Sequence, residues 1–186
     1  MSERLREERI EGRRVYPGRV VSLEVDRVRF ADGGEATREV VRHPGAVVIV
    51  ALTADGDVVL ERQFRYAAGE VLLELPAGTL AQGEDPLDCA RRELAEETGF
   101  GARRWRALSV FYTAPGFTDE RMHCFLAAGA ARKGEARPEA DERIEVVTMP
   151  LADAVAAIAR GEVRDSKTII GLLLVERASG AGAMSP

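Results

Sequence analysis

The chain has 186 residues, of which 46% are hydrophobic and 31% charged, with a formal net charge of −5. That length carries one domain with a real core plus a small appendage, and the apolar share excludes a disordered chain. A mildly acidic protein gains little from counterion release, so nucleic acid is disfavoured as a partner, and a phosphate ligand must be met by local arginines or by bound cations.

No run of residues is long and apolar enough to span a bilayer, and Met1–Arg14 lacks an apolar signal segment. No membrane association is expected. Cys89 and Cys124 show no metal-ligand spacing, and two free, partly buried thiols in a reducing compartment are expected, which points to the cytoplasm.

In chain order, Ile10–Tyr16, Val20–Phe30 and Thr37–Arg42 read as strands, punctuated by Pro17-Gly18 and Asp32-Gly33-Gly34. Val21, Leu23 and Val25 alternate with polar residues, as one buried face requires. So short a sheet is marginal alone and should pack on the rest of the chain or on a second subunit. After His43-Pro44-Gly45, the wholly apolar Ala46–Leu52 suits a central strand covered on both faces. Asp55-Gly56-Asp57 turns the chain into Val58–Phe64, and Val71–Leu75 is followed by a loop over Pro76–Gly83. Asp85-Pro86 opens a helix that Gly99 closes. Trp105–Tyr112, Arg121–Ala127 and Arg143–Met149 read as strands, Leu151–Arg160 and Lys167–Arg177 as helices, and Ala178–Pro186 as a disordered tail. The order suggests a mixed sheet between helices (α/β), residues 44–178, preceded by a small antiparallel β domain, residues 1–43, with residues 179–186 as the tail.

The richest chemical signal is Arg92-Glu93-Leu94-Ala95-Glu96-Glu97-Thr98-Gly99. At about 100° per residue, Glu93, Glu96 and Glu97 fall within one arc of the helix, beside the apolar stripe Leu87, Ala90 and Leu94. Three like charges so close raise one another's pKa unless a cation sits among them, and hard oxygen ligands suit Mg²⁺ or Mn²⁺. A solvated acidic face would also explain the cluster taken alone. Its surroundings argue otherwise: Leu75-Pro76-Ala77-Gly78 forms a tight loop just before the helix, whose backbone at Gly78 can approach a substrate phosphate or turn a carbonyl to a metal, and Glu84 stands at the helix mouth, where a capping charge is its alternative role.

Gly78, Glu84, Arg92-Glu93-Leu94, Glu96-Glu97 and Gly99-Phe100 match every fixed position of the Nudix box, and the chain resembles the Nudix hydrolase superfamily. The resemblance implies an α/β/α sandwich and metal-assisted hydrolysis of a diphosphate. It implies that Glu93 and Glu97 ligate the metal, that Glu96 is a ligand or bridge, and that Ala77 lends its backbone carbonyl. Gly78, Glu84, Arg92 and Gly99 would hold the motif's shape.

Pro115, fifteen residues beyond Phe100 and within Ala114–Glu120, resembles the ADP-ribose pyrophosphatase subfamily, as do Arg38–Val47 and Arg62-Gln63-Phe64-Arg65. That implies ADP-ribose as substrate, AMP and ribose 5-phosphate as products, and a homodimer paired through the N-terminal β domain, with Tyr16 or Phe30 stacking on adenine unless both serve only in packing. Arg65, with Arg38 or Arg42, offers forked donors to diphosphate oxygens; surface salt bridging is the alternative role. Gly116 lets a loop bend close to a ligand and Glu120 can accept from ribose hydroxyls, unless they are only a turn and a strand-edge charge. A base must take the proton from water. The subfamily draws it, and often another metal ligand, from a Glu-x-Glu loop, which here reads Glu139-Ala140-Asp141-Glu142, so the second glutamate falls on Glu142, which the resemblance also makes a metal ligand, and the first on Ala140. Glu142, Glu139 and Glu96 are therefore the candidate bases. A nucleotide-sugar hydrolase of the GDP-mannose type and a binding module without turnover are the alternative functions.

His43 and His123 suit turn and strand roles, and Arg103-Arg104-Trp105-Arg106 a solvated strand entrance with Trp105 packed inside.

Overall fold

The computed structural model describes residues 3–180, which divide into two compact units, residues 3–45 with 112–121, and residues 46–111 with 122–180. Residues 181–186, most of the expected tail, lie outside the described residues, and the last helix continues to Gly180.

In the first unit, β1 (Glu7–Pro17), β2 (Ser22–Phe30) and β3 (Glu35–Arg42) form an antiparallel sheet with β2 in the middle. Val41 is bridged to Thr118 of the 112–121 segment. The alternation in β2 is present, but the buried face is the other one: Asp26 and Val28 are buried, while Val21, Leu23 and Val25 are half-exposed. Asp26 can lie inside because Arg9 (2.9 Å) and Arg42 (3.1 Å) neutralise it.

The second unit is built on β4 (Ala46–Thr53), whose residues 46–52 are buried, as its unbroken apolar run requires. Around it stand β5 (Asp57–Arg65), β6 (Glu70–Glu74), β7 (Ala77–Thr79), β8 (Phe100–Gly101), β9 (Arg104–Tyr112), β10 (Arg121–Arg132) and β11 (Ile144–Pro150). The sheet is mixed: β10 runs parallel to β4, while β5 and β7 run antiparallel to it. On one face α1 (Pro86–Thr98) packs Cys89, Ala90 and Leu94 against Val47, Ile49 and Val59. On the other, α2 (Leu151–Ala159) and α3 (Ser166–Gly180) cover Val48, Val50 and Leu60. The α/β/α sandwich expected from the sequence is present.

One irregularity positions the site. β4 and β5 pair only at Ala51–Val59 and Leu52–Val58. Beyond that they part, and β6 pairs with β5 while β7 pairs with β4. The expected loop over Pro76–Gly83 is thus partly strand, because Ala77–Thr79 fills the gap. Three residues are too few to display a strand period.

Candidate active site

Local chemistry fixes α1. The Asp85 carboxylate accepts from the amides of Leu87 (2.8 Å) and Asp88 (3.4 Å), Pro86 occupies the first turn, and Gly99 closes the helix at φ +72°. A Cβ on Gly99 would stand 2.4 Å from the Gly134 carbonyl oxygen, so this glycine is required both for its left-handed backbone and for close approach.

The single acidic arc read from the sequence resolves into a gradient. Glu97 is buried, the Glu93 side chain is 14% exposed, and that of Glu96 45%. Glu97 accepts the Ala77 amide at 3.0 Å. Gly78 leaves room for Glu93: a Cβ there would lie 2.0 Å from the Glu93 carboxyl carbon. Arg92 braces the motif, donating to both Glu84 oxygens (2.9 and 3.1 Å) and to Glu96 (3.0 Å), and pairing with Glu93 (2.7 Å). The Arg92 guanidinium and the Ala81 amide hold the Glu84 carboxyl down at about 2.

The loop after β10 is stitched to the end of α1 by backbone bonds from Lys133 to Gly99 (2.8 Å) and from Arg137 to Glu96 (2.7 Å). It then turns through Glu139–Glu142, with the Glu139 amide donating to the Glu142 carboxylate (3.0 Å). Glu142 is half-buried; Glu139 and Ala140 are exposed.

Burial pushes the Glu97 carboxyl far above its ordinary range, and the charges of Glu61, Glu93 and Glu142 push it further. Burial raises Glu93 too, against the pull of Arg92. These groups are close enough to repel one another, and all are oxygen donors. Such a set fits a hard divalent cation, which would discharge the repulsion. Among the described residues no three side chains are already drawn into an ion cage.

The model of the NUDIX domain matches residues 41–172 of this chain. The chain belongs to the NUDIX family. It is 40% identical to an ADP-ribose pyrophosphatase of Bacillus subtilis over 88% of this chain and 89% of the relative. To an ADP-ribose pyrophosphatase of Mycobacterium tuberculosis it is 42% identical, over 90% and 82%. A crystal structure of an ADP compounds hydrolase superposes with a TM-score of 0.81 at 24% identity, covering 95% of this chain and 96% of that one, which speaks to the fold.

In this NUDIX chain the box residues, Glu142 and Arg65 belong to the second unit, and Arg38, Arg42, Gly116 and Glu120 to the first. The arginines expected to grip phosphate already hold carboxylates. Arg65 forks onto the buried Glu74 at 2.8 and 2.8 Å. Arg42 holds Glu24, Asp26 and Asp119 at 3.0 to 3.1 Å, and Arg38 holds Glu7. Arg62 pairs with Glu145 at the surface. Glu120 accepts from the Thr113 hydroxyl (2.6 Å), and Gly116 lies in an exposed turn. Tyr16 is 59% exposed, and Arg38 lies over the Phe30 ring at 5.6 Å. His43 accepts the Gly45 amide at Nδ1, a turn role, and both cysteines are free and buried.

Sequence reasoning missed Glu61. It is wholly buried on β5, with neither carboxylate oxygen hydrogen-bonded, and its charge is the strongest repelling neighbour of Glu97. The available signal was a charge directly after Val58-Val59-Leu60, at a position that shares the inward face with Val59.

Proposed function

We propose that this chain hydrolyses the diphosphate of ADP-ribose to AMP and ribose 5-phosphate, using Mg²⁺ or Mn²⁺. The observation that carries this reading is that two ADP-ribose pyrophosphatases are at least 40% identical to it over more than four-fifths of both chains. The complete acidic box, half-sunk beside an apolar core, supports it chemically. When bound, the cation neutralises the diphosphate and lowers the pKa of an attacking water. Glu93, Glu97 and the Ala77 carbonyl are the proposed ligands, with Glu96 a ligand or bridge at the rim and Glu142 a further ligand. Water forms the new bond to one phosphorus, the anhydride bond to the leaving phosphate breaks, and the proton passes to a base. Glu142, half-buried and close enough to repel Glu93 and Glu97, is the proposed base ahead of the exposed Glu139.

Arg38, Arg42, Arg65, Gly78, Gly116 and Glu120 are the proposed substrate contacts; the arginines must exchange a present carboxylate partner for phosphate. Val15, Tyr16 and Val20, each at least 46% exposed on or beside the three-stranded sheet, support pairing with a second copy. Two free cysteines suit a cytoplasmic protein, and no helix among the described residues is long and apolar enough to cross a membrane. The test is a panel of ADP-ribose, GDP-mannose and diadenosine polyphosphates, with products identified, run with Mg²⁺ and with chelator. AMP from ADP-ribose, abolished by chelator, is expected. Faster cleavage of GDP-mannose would move the substrate class, and no AMP at any pH would end the proposal.

A further inference from the structure

Both carboxylate oxygens of Glu61 and the amide oxygen of Gln63 are buried without a hydrogen-bond partner. The two residues alternate on β5 with exposed Arg62 and Phe64, so they share one face. That face is the one turned to α1: Glu61 stands opposite Val146, and Val146 and Val59 both pack into the cluster that holds Leu94 and Cys89. Next along the same helix is Glu97.

Three buried acceptor oxygens that no donor reaches make a costly interior. The nearby cations do not resolve it by direct contact. Arg65 gives two bonds to Glu74, and Lys167 pairs with Glu74 and Asp165. Glu74 is thereby answered, while Glu61, directly opposite it across the β5–β6 pair, is not.

We propose that Glu61 is a further ligand of the divalent cation held by Glu97, with the Gln63 amide oxygen accepting from cation-bound water. The proposal rests on the reading of the box as a cation site and adds to it a carboxylate from outside the box, delivered by β5. It also explains why β5 carries a charge where its apolar run would otherwise continue. The alternative occupant of the gap is a proton shared between Glu61 and Glu97, with no cation involved.

Mn²⁺ binding to the purified full chain, followed by electron paramagnetic resonance without substrate, separates the two. Glu61→Gln keeps the shape and removes the charge. Its Mn²⁺ dissociation constant should rise about tenfold or more, the size seen when a carboxylate partner of a metal site is lost, and the rise in melting temperature on adding Mg²⁺ should shrink. Gln63→Leu should weaken Mn²⁺ by a smaller factor. If Glu61→Gln fails to fold, Glu61→Asp serves, its carboxylate drawn back by one methylene, and weaker Mn²⁺ binding is again expected. Unchanged Mn²⁺ affinity in the folded variant would overturn the proposal in favour of the shared proton while leaving the proposed hydrolysis intact. Failure of the unaltered chain to bind Mn²⁺ at all would overturn both.

Discussion

Replacing Gly78 with alanine tests the geometry of the box through a single methyl group. The new Cβ would meet the Glu93 carboxyl carbon at 2.0 Å, Oε1 at 2.1 Å and Cγ at 2.3 Å. Ordinary contact begins at 3.4 Å, so the carboxylate must retreat by about 1.4 Å. Gly78 has no positive φ, so the backbone accepts alanine without strain, and the flexible Glu93 chain is what yields. A metal ligand tolerates displacement of only about 0.2 Å. A catalytic group misplaced by about 1 Å costs on the order of a hundredfold. The expected result is kcat for AMP release lowered roughly a hundredfold, with the Mn²⁺ dissociation constant raised about tenfold. The melting temperature should move by no more than about 3 °C. The assays are initial rates with Mg²⁺, Mn²⁺ titration and a thermal melt. Near-normal kcat and Mn²⁺ affinity in a folded variant would show that Glu93 is not needed where the structure holds it.

Three further outcomes are expected. Glu142→Gln should lower kcat by about a hundredfold or more, in the range of a lost general base, while Glu139→Gln should change it little; a larger effect at Glu139 would reverse the assignment of the base. Gly99→Ala should destabilise by about 1–3 kcal/mol, because it imposes φ +72° on a Cβ-bearing residue and drives that Cβ against the Gly134 carbonyl; denaturant melts measure it, and an unchanged midpoint would discount the C-cap. Stability should also depend on pH and metal together. Burial raises the folded-state pKa of Glu61 and Glu97 above 4.5, so their contribution is full below that value and is lost as pH rises through the raised ones. Metal-free protein should therefore weaken from mildly acidic toward alkaline pH, and the added stability from Mg²⁺ should grow over the same span. A Mg²⁺ increment in melting temperature that is flat with pH would contradict this. Glu84 has the opposite sign: its contribution is present above 4.5 and is lost as pH falls through about 2.

The carboxylate helix was legible in the sequence because its determinants are local. Asp85, Pro86 and Gly99 set its ends, and the helical period alone brings Glu93, Glu96 and Glu97 to one side. The central strand was legible for the same reason, since an unbroken apolar run needs cover on both faces whatever its neighbours are. What escaped depends on which strand lies beside which. The period of two in β2 was visible, but which of its faces is buried turned on Arg9 and Arg42 answering Asp26, and no local pattern announces those pairings. Of the two roles open to the forked arginines, the carboxylate partners of the salt-bridging one lie as far off as Asp119 from Arg42, 77 residues along the chain.

The sequence by itself determined the helix, its glutamates and the apolar slab they stand on, because capping, periodicity and hydrophobicity act between residues a few positions apart. Only the tertiary structure decided that β4 and β5 part, that Ala77–Thr79 enters the gap, and that Glu61, 36 positions away, is buried near enough for its charge to act on Glu97. Strand pairing beyond a hairpin turn and the burial of charge are settled by the whole chain folding at once, because the partners lie tens of residues apart.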